Sequence, residues 1–307
     1  MKQLKLDGLI AATTTPFAED RSLRLDDIAP MVDQLIASGV RGLYVCGSTG
    51  EGMSLRADER KLVAEAAISA SAGRVPVIVQ VGHNSLAEAR KLAQHAEEAG
   101  ADAVSATCPS YFKIGDVETL VQSMGDIASA APGTPFYYYH IPALTGSSID
   151  ITEFMRRGGD RIATLAGLKY TNTLLHEFQS CTRVDPERFD VVWGCDEMLL
   201  GALATGAKAA IGSTYNVAAP LYLQVMSAFE SSDHASAREL QFRSVEMVEV
   251  MKRFPFHAAL KAMMQMLGMP GGPCRLPIEN LDVDAIDGLR QQLDEIGFFQ
   301  WCGHEIN

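Results

Sequence analysis

Eight short apolar runs alternate with longer amphipathic segments through the first two thirds of the chain, at residues 9–14, 42–45, 77–81, 103–106, 136–139, 166–169, 191–193 and 209–211. Each has the length of a strand. A strand buried on both faces, as in a parallel sheet, reads as an unbroken apolar run rather than an alternation. The intervening segments, 26–38, 57–71, 86–99, 117–130, 151–156, 173–181 and 197–204, place apolar residues at helical spacing. Gly39, Gly100 and Gly206 follow three of these helices, where a left-handed residue ends the last turn, and Asp26, Ser85 and Asp116 suit N-caps. Strands alternating with helices predict a parallel sheet. The count of eight favours a closed (β/α)8 TIM barrel over an open doubly wound sheet. The turn after the first run, Thr13-Thr14-Thr15-Pro16-Phe17, also lacks the Gly-rich phosphate fingerprint expected of such an open sheet.

The chain's 307 residues exceed the roughly 250 that a barrel uses. The excess lies at the C-terminal end. Residues 217–266 are helical in pattern throughout, 268–273 (Gly-Met-Pro-Gly-Gly-Pro) form a break, and 283–296 read as a final helix. The expected organisation is a barrel over 1–216 and a C-terminal helical extension over 217–307 packed on it. A formal net charge of -12 argues against nucleic acid or an anionic membrane as partner. Cys46, Cys108, Cys181, Cys195, Cys274 and Cys302 show no metal-type spacing, so free thiols in a reducing compartment are expected. The N-terminus carries no apolar signal-like region, and no apolar stretch is long enough to span a bilayer, which predicts a soluble cytoplasmic protein.

In a barrel of this kind, reactive groups sit at the C-terminal ends of strands. Lys169 stands at such an end, closing the apolar run 162–168. Desolvation there disfavours an ammonium and leaves an amine able to attack a ketone, the opening step of Schiff-base chemistry. The other reading is an ammonium that snorkels to solvent or pairs with a carboxylate. After the second run, Gly47-Ser48-Thr49-Gly50-Glu51-Gly52 offers hydroxyls and backbone N–H groups that either cradle a carboxylate or form a plain Gly-rich turn. In Tyr137-Tyr138-Tyr139-His140, alternation sends Tyr137 and Tyr139 to one face and Tyr138 and His140 to the other. Tyr139 either relays protons at the barrel mouth or packs in the core, His140 is equally a hydrogen-bonded structural residue, and Tyr44 and Tyr111 carry the same two readings. After the seventh run, Asp196 and Glu197 serve either as helix-start charges or as acceptors for sugar hydroxyls. Gly212-Ser213-Thr214-Tyr215-Asn216 repeats the Gly-Ser-Thr theme after the eighth. His83, His95, His176, His234, His257 and His304 lack metal-ligand spacing and read as structural, so no metal site is expected.

Taken in order on eight strand–helix units, Gly47-Ser48-Thr49-Gly50-Glu51, Tyr139-His140-Ile141-Pro142 with Thr145-Gly146, and Gly167-Leu168-Lys169 resemble the pyruvate-dependent class I aldolase family that contains dihydrodipicolinate synthase and N-acetylneuraminate lyase. The resemblance runs from about residue 6 to 267. It implies a (β/α)8 barrel with a C-terminal helical extension, a homotetramer, and no metal or organic cofactor, because a covalent imine on Lys169 supplies the electron sink. It further implies that Tyr139 exchanges the proton with the hydroxyl at the breaking bond and that Ser48 and Thr49 hold the pyruvate carboxylate. Tyr111 resembles a tyrosine lent across a subunit interface, and Tyr44 one lining the same pocket.

Within the family, the synthase branch carries an arginine for a second carboxylate where this chain has Leu144. Leucine cannot bind a carboxylate. The chain instead resembles the sialic acid lyase branch, in which Thr171, Gly194, Asp196, Glu197 and Ser213 contact a polyhydroxyl tail; Cys195 is a departure within that run. The implied activity is reversible cleavage of N-acetylneuraminate to N-acetylmannosamine and pyruvate, with those small molecules as the only ligands. The alternatives are another aldolase or dehydratase of the superfamily acting on a different 2-keto-3-deoxy acid, and a non-catalytic keto-acid or sugar-acid sensor. The joint presence of Lys169 and Tyr139 stands against the sensor.

Overall fold

The computed structural model describes residues 4–302. Its strands are β1 (Gly8–Ala12), β2 (Gly42–Val45), β3 (Val77–Gln80), β4 (Ala103–Thr107), β5 (Phe136–His140), β6 (Leu165–Tyr170), β7 (Asp190–Trp193) and β8 (Ala209–Gly212). They pair in parallel and in sequence order, and β8 returns to pair with β1, so the sheet closes into a barrel. The alternation of side chains along each strand divides the apolar residues into two layers. Tyr44, Ile78, Tyr137, Tyr139, Val192 and Ile211 fill the barrel interior. Leu43, Val45, Val79, Tyr138 and Leu168 point outward beneath the helices. On β5 the division is the expected one: Tyr139 lies inside, while Tyr138 packs on Phe154 at 4.8 Å between ring centroids. A wholly buried phenylalanine of this kind stabilises by roughly 1.5–3 kcal/mol relative to exposure.

Most helices lie where periodicity puts them, and three local differences have physical causes. The segment 26–38 opens with a 3-10 turn at Leu25–Asp27 before the helix Ile28–Ala37, and Asp26 makes no cap bond. There the chain tightens instead, with Asp27 N–H donating to the Arg24 carbonyl and an Arg24–Asp27 ion pair. The segment expected at 151–156 continues to Arg161 through Gly158 and Gly159. A β-carbon at Gly159 would stand 2.9 Å from the Phe189 ring, so that glycine permits close packing rather than ending the helix. The segment 197–204 divides into a 3-10 turn, Asp196–Met198, and a helix, Leu199–Ala204. Ser85 and Asp116 do cap their helices, accepting from Glu88 N–H and Thr119 N–H, and Gly39, Gly100 and Gly206 all have positive φ.

Beyond β8 come the helices Tyr215–Glu230, His234–Met251, Phe256–Met266 and Val283–Glu295 and a last turn, Phe298–Trp301. The division expected at 216/217 falls in the first turn of Tyr215–Glu230. The N-terminal end of the barrel is sealed. Asp190 Oδ2 accepts from the Leu6 N–H at 3.0 Å and from the Tyr137 hydroxyl at 2.9 Å, which ties the leading segment across the floor. Clefts of about 290 and 440 Å3 flank this floor and include none of the groups of the site below. With one end closed, the strand C-termini form the open mouth.

Candidate active site

Lys169 is the penultimate residue of β6, in register with Tyr139 on β5 and Val192 on β7. Its side chain enters the barrel and is only 4% exposed. The Nζ atom lies 4.1 Å from the centroid of the Tyr44 ring and 4.0 Å from that of Tyr139. The two rings meet edge to face at 5.7 Å, so the amine sits in an aromatic angle within cation–π range. Among the described residues no carboxylate forms an ion pair with it. Snorkelling to solvent and pairing with an acid are therefore both excluded for this lysine.

The two tyrosines differ in their surroundings. The Tyr44 hydroxyl donates to Ser105 Oγ at 3.0 Å. Burial raises its phenol well above the ordinary range, with the neighbouring Tyr139 adding to the effect, so it stays protonated and serves as a wall. Tyr139 is buried, and among the described residues its hydroxyl has no hydrogen-bond partner. Of the two phenols it is the one left without a partner among the described residues.

The cradle follows β2. The turn is closed by Glu51 N–H donating to the Ser48 carbonyl at 3.0 Å and Gly52 N–H donating to the Gly47 carbonyl at 3.0 Å. A β-carbon at Gly52 would stand 1.9 Å from the Cys46 carbonyl oxygen, so only glycine fits. Because β8 and β2 both flank β1, their loops are neighbours, and Thr49 Oγ1 lies 2.7 Å from Ser213 Oγ. The two Gly-Ser-Thr stretches thus meet at one rim.

The same rim carries the acids. Asp196 Oδ2 accepts from Thr214 N–H at 2.8 Å and from Thr214 Oγ1 at 2.7 Å. Burial pushes its pKa up to about 6, against the lowering effect of the Thr214 bonds. Gly212 makes room for it, since a β-carbon there would stand 1.9 Å from Asp196 Oδ1. Thr214 is anchored in turn through Tyr222 Oη at 2.6 Å, which reaches Ser244 Oγ at 2.8 Å on the helix His234–Met251. Gly194 lies against Thr171, whose buried hydroxyl has no partner among the described residues. A buried hydroxyl without a partner is uncommon and marks a place where a polar ligand group is favoured. Burial raises the Cys195 thiol to about 12, so it is a protonated, unreactive part of the wall.

Not every sequence-derived residue joins this cluster. Glu197 turns outward and accepts from Lys252 Nζ at 3.1 Å on the extension. Tyr111 is 78% exposed and contacts Phe112 edge to face at 5.0 Å. Leu144 is exposed in a short helical turn after β5. His140 lies between Tyr138 and Tyr170 on the outer face, and burial lowers it to about 4, which keeps it neutral and structural. His95 pairs with Glu65, His83 accepts from Ser85 N–H, and His304 lies outside the described residues. Among the described residues no group of three or more His, Cys, Asp or Glu could hold a metal ion. The polar partners that sequence reasoning missed are Ser105 behind Tyr44 and His257 and Lys261 behind the cradle. One signal was available for Lys261: Glu51, an acid in a turn read as anion-binding, requires a cation beside it.

A buried amine at the end of β6, a phenol beside it and a hydroxyl-lined turn after β2 can be tested against known proteins. The sequence profile of the "Dihydrodipicolinate synthetase family" matches residues 5–296. An N-acetylneuraminate lyase of Rattus norvegicus is 38% identical over 304 residues, covering 97% of this chain and 95% of that protein. Among solved structures, Proteus mirabilis N-acetylneuraminate lyase superposes with a TM-score of 0.93 at 38% identity, covering 96% of this chain and 100% of that one. A prophage protein of E. coli K12 from the dihydrodipicolinic acid synthase family, in complex with pyruvate, gives 0.88 at 28% identity, covering 94% and 98%. Sequence and fold agree, and the chain belongs to the dihydrodipicolinate synthetase family.

Proposed function

We infer that this chain is a Schiff-base aldolase that cleaves N-acetylneuraminate reversibly to N-acetylmannosamine and pyruvate. The observation that carries the reading is Lys169: a buried amine between two tyrosine rings, with no carboxylate paired to it among the described residues and a row of hydroxyls and an acid on the adjoining rim. In this reading its nitrogen attacks the ketone carbon of the open-chain sugar acid, and water leaves to give a protonated imine. Tyr139 takes the proton of the hydroxyl borne by the far carbon of the bond to be cut, the carbon that becomes the aldehyde. The electrons of that carbon–carbon bond flow into the imine, giving an enamine and the aldehyde N-acetylmannosamine. Protonation of the enamine carbon and hydrolysis then release pyruvate and restore the amine. The covalent nitrogen does the work of an electron sink, so the reading calls for no metal or organic cofactor.

Substrate selection follows from the rim. Ser48 and Thr49 hold the carboxylate, and Thr171, Gly194, Asp196 and Ser213 face the polyhydroxyl tail, with Tyr44 lining the pocket; Glu197, expected there from the resemblance, is turned outward to Lys252 and is left out of this reading. A sugar acid lacking a matching hydroxyl would leave these buried groups unpaired, which is strongly disfavoured. Leu144 offers nothing to a second carboxylate. The exposed Tyr111–Phe112 pair supports a homotetramer in which Tyr111 reaches a neighbouring subunit's site. No helix among the described residues is long and apolar enough to cross a membrane, and we propose a cytoplasmic location. The test is pyruvate release from N-acetylneuraminate against a panel of other 2-keto-3-deoxy sugar acids, with Lys169→Ala as control. Preferential release from N-acetylneuraminate that vanishes in the variant is expected. Release only from another sugar acid would move the substrate, and no borohydride-trapped pyruvate adduct in the wild type would remove the mechanism.

A further inference from the structure

The helix Phe256–Met266 reaches the cradle at two points on one face, four residues apart. His257 Nε2 lies 2.9 Å from the carbonyl oxygen of Ser48. A carbonyl can only accept, so the ring donates from Nε2. Lys261 Nζ lies 2.5 Å from Glu51 Oε1 and 3.0 Å from the Pro273 carbonyl, and the Arg275 N–H donates to Glu51 Oε2 at 2.8 Å. The side chains of Lys261 and Glu51 are both buried.

Glu51 holds a left-handed backbone, with φ 54° and ψ 31°. A residue with a β-carbon is disfavoured there and glycine is not, so the position retains its carboxylate against the local preference. Unpaired, that carboxylate would repel a substrate anion at the adjacent Ser48 and Thr49; Lys261 neutralises it. His257 acts on the other half of the turn. The Ser48 carbonyl and the Thr49 N–H belong to one planar trans peptide and point in opposite directions. Pinning the carbonyl to His257 and to the Glu51 N–H therefore aims the Thr49 N–H the opposite way, out of the turn and away from the C-terminal helix.

We propose that His257 and Lys261 are positioning residues for recognition of the substrate carboxylate, so that the helical extension completes a site otherwise built on the barrel. This rests on the aldolase reading above. The test compares borohydride trapping on Lys169 with two probes: pyruvate, which carries the carboxylate, and acetone, which does not. In His257→Leu the ratio of pyruvate to acetone trapping falls by about tenfold or more, as expected when a binding group is misplaced, and KM for N-acetylneuraminate rises more than kcat falls. His257→Gln, which keeps an N–H donor near the Nε2 position, restores most of the ratio. Lys261→Met lowers the same ratio. If Lys261→Met does not fold, the His257 pair decides. An unchanged ratio, or loss of both probes together, overturns the proposal, because a merely structural role would not discriminate between them. Absence of pyruvate trapping in the wild type would instead overturn the aldolase reading itself.

Discussion

Asp196→Asn separates the stability role of a buried acid from its substrate role. The Asp196 carboxyl is raised from 3.8 to about 6, chiefly by burial. The folded protein thus binds this proton more tightly than the unfolded chain. The contribution is fully present below about pH 4 and is lost as the pH rises through about 6. Two pKa units at about 1.4 kcal/mol each amount to about 3 kcal/mol withdrawn from stability at neutral pH. Asparagine does not titrate, and its carbonyl oxygen can still accept both Thr214 bonds. The variant should therefore gain about 3 kcal/mol on the wild type between pH 4 and pH 7. With an unfolding entropy of about 2.1 cal/mol/K per residue, that is a relative gain in Tm of about 4–5 °C. Glu59, whose carboxyl is lowered first by its hydrogen bond to Arg275, tilts the wild-type curve in the opposite sense, but it is common to both proteins and cancels in the difference. Scanning calorimetry of the two proteins across that range measures the difference. Pyruvate trapping should survive in the variant, while kcat/KM for N-acetylneuraminate falls about ten- to a hundredfold, the usual cost of a lost charged acceptor. Parallel Tm–pH curves for the two proteins would refute the assignment of this proton to Asp196.

Other substitutions probe the remaining parts. Tyr139→Phe keeps the ring against Lys169 and removes only the hydroxyl; kcat should fall about 10²–10⁴-fold while the pyruvate adduct still forms, as read by steady-state kinetics and intact mass. Lys169→Ala should abolish the adduct and leave Tm equal or higher, because no ion pair is broken among the described residues. Gly194→Ala places a β-carbon 2.1 Å from Thr171 Oγ1 and should raise KM for the sugar acid several-fold with little change in pyruvate trapping. Lys261→Met leaves Glu51 buried and unpaired and should cost about 3–5 kcal/mol in denaturant unfolding, most of it recovered when Glu51→Leu is added.

What the sequence discloses depends on how each feature is encoded. The barrel is legible because burial on both faces demands unbroken apolar runs, and eight of them leave few topologies. Lys169 is legible for a related reason: a charged residue at the end of such a run, as a strand meets its loop, needs an explanation. The meeting of Thr49 with Ser213 becomes legible only once the barrel is known to close, since closure alone brings the β8 loop beside that of β2. Polar contacts made across the fold follow no such rule. Arg60 sits in the amphipathic helix Ala57–Ser71, where a charge reads as a solvated face, yet its guanidinium is buried and donates to the carbonyls of Gln80 and Gly82. Periodicity states which face of a helix is apolar but not which polar atom a side chain will reach. The pairs His257–Ser48 and Lys261–Glu51 span 209 and 210 residues, and neither has a local signature at its C-terminal end. At the N-terminal end, however, Glu51 does carry one. An acid beside a turn that binds an anion raises the energy of the bound state unless a cation offsets it. That imbalance follows from charge alone and predicts a distant lysine or arginine before any coordinates are known. The same reasoning applies to any carboxylate found within a sequence motif read as an anion cradle.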